Sequence, residues 1–199
     1  MNSTPKQRNR LGRRIVKILR HKAREYKLPL TEDGFVTLND LFTLMLRQMS
    51  NPDLLNLQTV KCIVAEDNKQ RMKLVQKNGK WMIRANQGHS IGLNPEKLLT
   101  PITKIMNCIH GTYINVLPAI QKEGLKRMSR DQIHFTTTLP GKGEVISGMR
   151  KSVQVAIFID MKTAMEDGIK FYLSSNGVIL SPGKGGIISS KYFSKIVKF

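Results

Sequence analysis

The run Arg84-Ala-Asn-Gln-Gly-His-Ser90 gathers a guanidinium, two carboxamides, a glycine, an imidazole and a hydroxyl into seven residues. Side chains this polar do not make a core by themselves. A forked cationic donor, amide donors and a titratable ring suit a ligand that carries phosphate. The plainer reading of the same residues is a solvated loop. The chain reaches this run through Met72–Ile83, which reads as a hairpin because Asn78-Gly79 suits a tight type I′ turn.

A second cationic stretch lies at the start of the chain. Residues 1–24 contain nine Lys or Arg and no acid. From about Leu11, the apolar residues Leu11, Ile15, Ile18, Leu19 and Tyr26 recur with a helical period. At roughly 100° per residue, Arg10, Arg13, Arg14, Lys17, Arg20, His21 and Arg24 gather on the other face. Most such stripes are simply solvated. Here the absence of acids leaves like charges repelling one another, which a polyanion would relieve. Arg20-His21 falls near the expected helix end, where the dipole favours a cation and an imidazole can hold a proton near neutral pH.

The elements that must position these groups follow in order. Phe35–Leu38 reads as a short extended piece. Asn39 is the expected N-cap of a helix through Leu41, Leu44, Met45 and Gln48. Ser50, Pro52 and Asp53 mark the expected start of another helix, with Leu54, Leu57, Val60, Ile63 and Val64 on one face. Three helices and then a hairpin is the order of a winged-helix module, which often binds nucleic acid. Lys69, Arg71 and Lys73 add positive charge beside the hairpin. Residues 92–103, with Gly92, Pro95 and Pro101, read as a linker. The second half changes character, with short strands and turns at glycines that include Gly111, Gly124, Gly141, Gly143 and Gly177. Val153–Ile159 is the clearest strand and is expected to be central. Asn176-Gly177 is expected to turn into a strand at Val178–Leu180, and a helix fits Val116 to Lys126, ending near Gly124. The pattern predicts an α+β protein whose second lobe is a mostly antiparallel sheet.

Composition narrows the function. The 199 residues carry a net charge of +19 at a pI of about 10.2, which favours nucleic acid as partner. Cys62 and Cys108 match no metal or redox spacing and read as core residues of a reducing compartment. No apolar run reaches about 18 residues, and the basic N-terminus lacks the apolar segment of a signal peptide. An intracellular location, cytoplasmic or nuclear, and no membrane partner are therefore expected. No GxGxxG follows a strand, and no Gly-rich loop ends in Gly-Lys-Ser or Gly-Lys-Thr. The histidines, at 21, 89, 110 and 134, form no zinc spacing with the cysteines. The acids are few and scattered, which argues against two-metal nuclease chemistry.

Eight blocks carry a resemblance that covers residues from about 11 to about 195. They are Ile18-Leu-Arg-His21, Arg84-Ala-Asn-Gln-Gly-His-Ser90, His110-Gly-Thr112, Gly124-Leu125, Ile133-His-Phe135, Ser147-Gly-Met-Arg150, Asn176-Gly-Val-Ile-Leu180 and Lys191-Tyr-Phe193. Together they resemble the RNA 2′-phosphotransferase family, NAD-dependent enzymes that remove the splice-junction 2′-phosphate from tRNA. The resemblance implies a winged-helix RNA-binding lobe at 1–95 and an ADP-ribosyltransferase-like, NAD-binding lobe at 96–199, with the active site between them. It carries the catalytic roles to Arg20, His21, Arg84 and Arg150. It carries the NAD pocket to His110, Gly111, Thr112, His134, Asn176, Gly177, Val178 and Ile179. Arg13, Lys17, Arg71, Gln87, His89 and Ser90 are the expected RNA contacts. Two departures stand out. Gly12-Arg13 replaces the frequent Ser-Lys and keeps a cation without the hydroxyl. Gln132 replaces the first histidine of a frequent His-Ile-His, which puts that ring's role in doubt but not that of His134.

The implied reaction has two steps and needs no metal. An RNA 2′-phosphate oxygen displaces nicotinamide from the ribose C1″ of NAD, which serves as co-substrate. The 2″-hydroxyl then attacks phosphorus, releasing 2′-OH RNA and ADP-ribose 1″,2″-cyclic phosphate. The expected enzyme is a monomer. A runner-up is an NAD-dependent ADP-ribosyltransferase that modifies nucleic-acid phosphate ends or protein. A non-catalytic RNA binder is disfavoured by the intact Arg-His-Arg-Arg set.

Overall fold

The computed structural model describes residues 3–49, 52–139, 148–149 and 152–199, and the expected features at Ser50, Gly141, Gly143, Ser147 and Arg150 lie outside them. The chain divides into two compact units, Met1–Leu98 and Leu99–Phe199. Both mix helices with antiparallel strand pairs. The described residues hold six α-helices.

The first unit opens with helix α1 (Pro5–Lys17), which starts six residues before the apolar period from Leu11. Its start is a capping box. The Thr4 side chain accepts from the Gln7 N–H, the Gln7 side chain accepts from the Thr4 N–H, and Pro5 needs no partner at the first helical position. Leu11, Ile15 and Val16 bury one face. The helix then widens into a π turn, Ile18–Lys22. Strand β1 (Val36–Thr37) leads into helix α2 (Leu38–Leu46). The N-cap of α2 is Thr37, whose Oγ1 accepts from the Asp40 N–H at 3.1 Å, and not Asn39. Helix α3 (Leu57–Ala65) is capped by Asn56, with Pro52–Leu54 forming a separate 3-10 turn. The helix expected from Ser50 onward therefore starts later, because the Asn56 carboxamide satisfies the Thr59 N–H at 2.8 Å.

Strands β2 (Met72–Lys77) and β3 (Lys80–Ala85) form the expected hairpin. Asn78 and Gly79 both take positive φ, as a type I′ turn requires. The three-stranded sheet runs β1-β3-β2. The expected linker holds a short helix, α4 (Pro95–Leu98), and Leu93 and Leu98 are buried, so it is packed rather than free.

The second unit contains strands β4 (Thr100–Pro101), β5 (Ile109–Thr112), β6 (Leu125–Lys126), β7 (Ile133–Phe135), β8 (Val155–Ile159), β9 (Tyr172–Leu173), β10 (Ile179–Ser181), β11 (Ile187–Ile188) and β12 (Phe193–Lys198). Helices α5 (Leu117–Glu123) and α6 (Met161–Glu166) lie between them. The sheets run β4-β9-β10-β7, β12-β8-β5 and β11-β6. The strand read from Val153–Ile159 is central in its sheet. Its apolar run Val155-Ala-Ile157 is fully buried because both faces are covered. Phe135 and Phe171 meet edge-on, 6.2 Å between centroids, in the core beneath.

Candidate functional site

In the first unit the polar run 84–90 is not a solvated loop. Arg84, Gln87 and His89 are 8%, 5% and 2% exposed. Arg84 is the penultimate residue of β3, and its Nη1 donates to the Asp33 carbonyl at 2.9 Å. Its guanidinium carbon sits 4.8 Å from the centre of the Phe35 ring. Burial pulls the Arg84 pKa down and Asp33 opposes this. Burial pushes Asp33 up, but the hydrogen bonds from Thr31 and Lys77 and the Arg84 charge outweigh it, so its pKa ends low.

The π turn carries the next two groups. Ser90 clamps it twice: its N–H donates to the Arg20 carbonyl at 3.0 Å, and its Oγ shares a 2.9 Å hydrogen bond with His21 Nδ1. Gly88 explains why no side chain separates the two segments. Its φ is +85°, and a Cβ there would stand 3.1 Å from the guanidinium carbon of Arg20. Arg20, His21 and Arg84 all act electrostatically on His89. Burial first, and then these neighbours, push His89 down to about 3, so it is neutral across the physiological range. The cluster therefore gains an imidazole without gaining a further charge.

Three buried polar atoms of this stretch, Arg84 Nε, Asn86 Oδ1 and His89 Nδ1, meet no hydrogen-bond partner among the described residues. Buried polar atoms are normally paired, and orphans this close in sequence fit a site that a polar ligand completes. Asn86 is otherwise fixed, its N–H on the Arg71 carbonyl and its Nδ2 on the Gln70 carbonyl.

Of the expected RNA contacts, Arg13 and Lys17 are exposed on α1. Arg71 is half-buried and held by Asp67 at 2.6 Å. Gln87 and His89 are buried, and Ser90 is engaged with His21. Arg150 lies outside the described residues.

In the second unit, His110 and Thr112 on β5 and His134 on β7 line one cavity of about 520 Å³, together with Arg130 and the α5 residue Ile120. His110 Nδ1 bonds the His134 carbonyl at 2.9 Å, which fixes the ring edge-on to Phe135. Burial lowers the His110 pKa, the carbonyl contact opposes, and Arg130 adds to the lowering. Gly111 separates these two residues for a steric reason, since a Cβ would come within 2.7 Å of Met149 and 2.8 Å of Val153. Asn176, Gly177, Val178 and Ile179 are not among the walls of this cavity. They form the β9–β10 turn and its exit, with Asn176 Oδ1 accepting from Ser174 Oγ and Val178 and Ile179 fully buried.

Sequence reasoning missed Asp33 and Phe35 beside Arg84, and Arg130 beside His110. Nothing in Asp33-Gly34-Phe35 points to a site, because Asp33 meets Arg84 through its backbone carbonyl and its charge, and Phe35 meets it through its ring face.

The chain is similar to known proteins along most of its length. Residues 6–183 match the family described as RNA 2′-phosphotransferase, Tpt1 / KptA family. The chain is 40% identical over 194 residues to tRNA 2′-phosphotransferase 1 of Danio rerio, covering 94% of this chain and 84% of that protein. It is 37% identical over 195 residues to tRNA 2′-phosphotransferase 1 of Homo sapiens, covering 94% and 75%. The tRNA 2′-phosphotransferase of Saccharomyces cerevisiae is 34% identical over 188 residues, covering 86% and 77%. A family match over most of the chain, with relatives this similar along nearly all of it, leaves one assignment: this chain belongs to the RNA 2′-phosphotransferase, Tpt1 / KptA family.

Proposed function

We propose that the protein removes an internal 2′-phosphate from spliced tRNA by transferring it to NAD, giving 2′-OH RNA, ADP-ribose 1″,2″-cyclic phosphate and nicotinamide. The observation that carries this reading is the Arg20–His21–Arg84 cluster, held by Ser90 and Gly88 and bordered by orphaned polar atoms. Two guanidinium groups in a largely dry setting suit a phosphoryl group whose charge grows during transfer. One such preorganised donor is worth roughly 3–4 kcal/mol in a transition state. His21 is exposed beside them and serves as the proton donor to the departing RNA 2′-oxygen, with Ser90 orienting its ring through Nδ1. Arg150 is proposed as a further catalytic guanidinium.

The second unit is proposed as an ADP-ribosyltransferase-like lobe that binds NAD. When bound, NAD supplies an electrophilic ribose carbon with a leaving group already in place. The 520 Å³ cavity fits a ligand of this class, since sites of about 300–1,000 Å³ with a few convergent polar groups are usual. Thr112 and Arg130 offer donors there, and His110 is kept neutral and aromatic against Phe135. Asn176–Ile179 are proposed to shape that lobe through the β9–β10 turn. The first unit is proposed as a winged-helix RNA lobe, supported by its order of three helices and a hairpin and by its cationic α1 face.

The test is incubation with NAD and an RNA bearing one internal 2′-phosphate. Nicotinamide release is expected only when both are present and should persist in a chelator. His21→Ala should slow release of 2′-OH RNA more than release of nicotinamide. Turnover without NAD, or full activity of His21→Ala at every NAD concentration, overturns the assignment.

A further inference from the structure

A groove of about 530 Å³ runs along one face of α1 and ends at Arg20. Pro5, Asn9, Gly12, Val16 and Arg20 follow at helical spacing, so they line a single wall. The opposite wall is Ile63 of α3 and the connection from Glu66 to Met72. The floor is apolar, with Gly12, Val16, Ile63 and Met72 buried. The rim carries the amides of Asn9 and Asn68, both exposed, and the cation of Arg13.

Two carboxylates face the groove, but both are already engaged. Glu66 takes Arg8 at 2.8 Å, and Asp67 takes Arg71 at 2.6 Å. Asp67 also accepts the N–H groups of Lys69 and Arg71, at 3.2 and 2.7 Å, so this wall is preorganised. What remains is an apolar floor, a hydrogen-bonding amide edge and positive charge. That combination fits a nucleobase with its phosphates, and amides read base edges. A groove walled by a helix and a loop admits a base only when it is unpaired.

We infer that this groove is a subsite for one unpaired nucleoside adjoining the 2′-phosphorylated nucleotide, with its base on Val16, Ile63 and Met72 and its edge on Asn9 and Asn68. The inference rests on the proposed RNA reaction, because Arg20 places the reacting phosphate at the groove's end. It makes base context, and not phosphate alone, part of substrate choice.

The test uses binding as well as turnover. A fluorescent 2′-phosphorylated pentanucleotide is compared with versions abasic at the nucleotide before or after the phosphate. Wild type should bind one abasic version about tenfold more weakly, the scale of a single base contact. The Asn9→Ala/Asn68→Ala double variant should lose that discrimination while turning over a lone nucleoside 2′-phosphate as wild type does. Equal binding of the intact and both abasic RNAs by wild type overturns the subsite, as does undiminished discrimination in the double variant. If discrimination is seen but no RNA is turned over with NAD, the subsite stands and the proposed reaction falls.

Discussion

His89 shows what a single buried residue contributes. It lies among Arg20, His21 and Arg84, and a further positive charge there would repel the two guanidinium groups. Its folded pKa, at about 3, lies below the ordinary histidine value of 6.5. The unfolded chain therefore binds a proton that the folded chain refuses at pH values between these two. Stability is fully present above pH 6.5 and is lost as pH falls toward 3, by at most about 1.4 kcal/mol per pH unit from this one group. His89→Gln should flatten the acid side of the stability profile, read by denaturant titration at a series of pH values. An unchanged slope would mean that the ring is solvated rather than enclosed. Sequence reasoning expected Gln87 and His89 among the RNA contacts, with a solvated loop as the plainer reading of the same run, and nothing in its composition announced that both side chains are buried. The π turn, distant in sequence, lies against this run at Gly88 and Ser90.

At the scale of elements, legibility followed how local the cause was. The β2–β3 hairpin was readable because Asn78-Gly79 alone specifies the turn. The start of α1 was also written locally, in Thr4-Pro5-Lys-Gln7, but the apolar period begins only at Leu11 and drew the boundary with it. For α2 the sequence reading placed the cap at Asn39, and the folded backbone places it two residues earlier at Thr37. This yields a direct comparison. Thr37→Ala should cost on the order of 1 kcal/mol, the usual cost of losing a cap. Asn39→Ala, at an exposed first-turn position, should stay within about 0.5 kcal/mol. Chemical denaturation of the two variants checks this, and the reverse order would return the cap to Asn39. The π turn at Ile18–Lys22 left no mark in the sequence. Nothing in Ile-Leu-Arg-His-Lys disfavours an ordinary helix, and the widening coincides with Ser90 bonding both the Arg20 carbonyl and the His21 ring. Such turns recur at functional sites. The convergence of Arg20, His21 and Arg84 was likewise not legible from spacing, only from the resemblance of whole blocks.

The whole molecule carries 33 Lys and Arg against 14 Asp and Glu. Several of those acids are spent on local ion pairs, as at Glu66, Asp67 and Asp33. Arg13 and Lys17 stay exposed on α1, and RNA affinity should fall steeply with salt. Arg13→Glu/Lys17→Glu should flatten the plot of log affinity against log salt by roughly 0.7 for each single-strand phosphate that no longer meets a cation. An unaltered slope would show that the α1 stripe is merely hydrated.

The same stripe bears on what happens after the chemistry. Loss of one phosphate group leaves every other phosphate of the RNA in place, so the finished strand keeps nearly all the attraction that captured the substrate. At low ionic strength the enzyme would be held by its own product, with departure slower than reaction. Modest salt would then accelerate cycling before higher salt starves the enzyme of substrate, giving an activity optimum set by residence time.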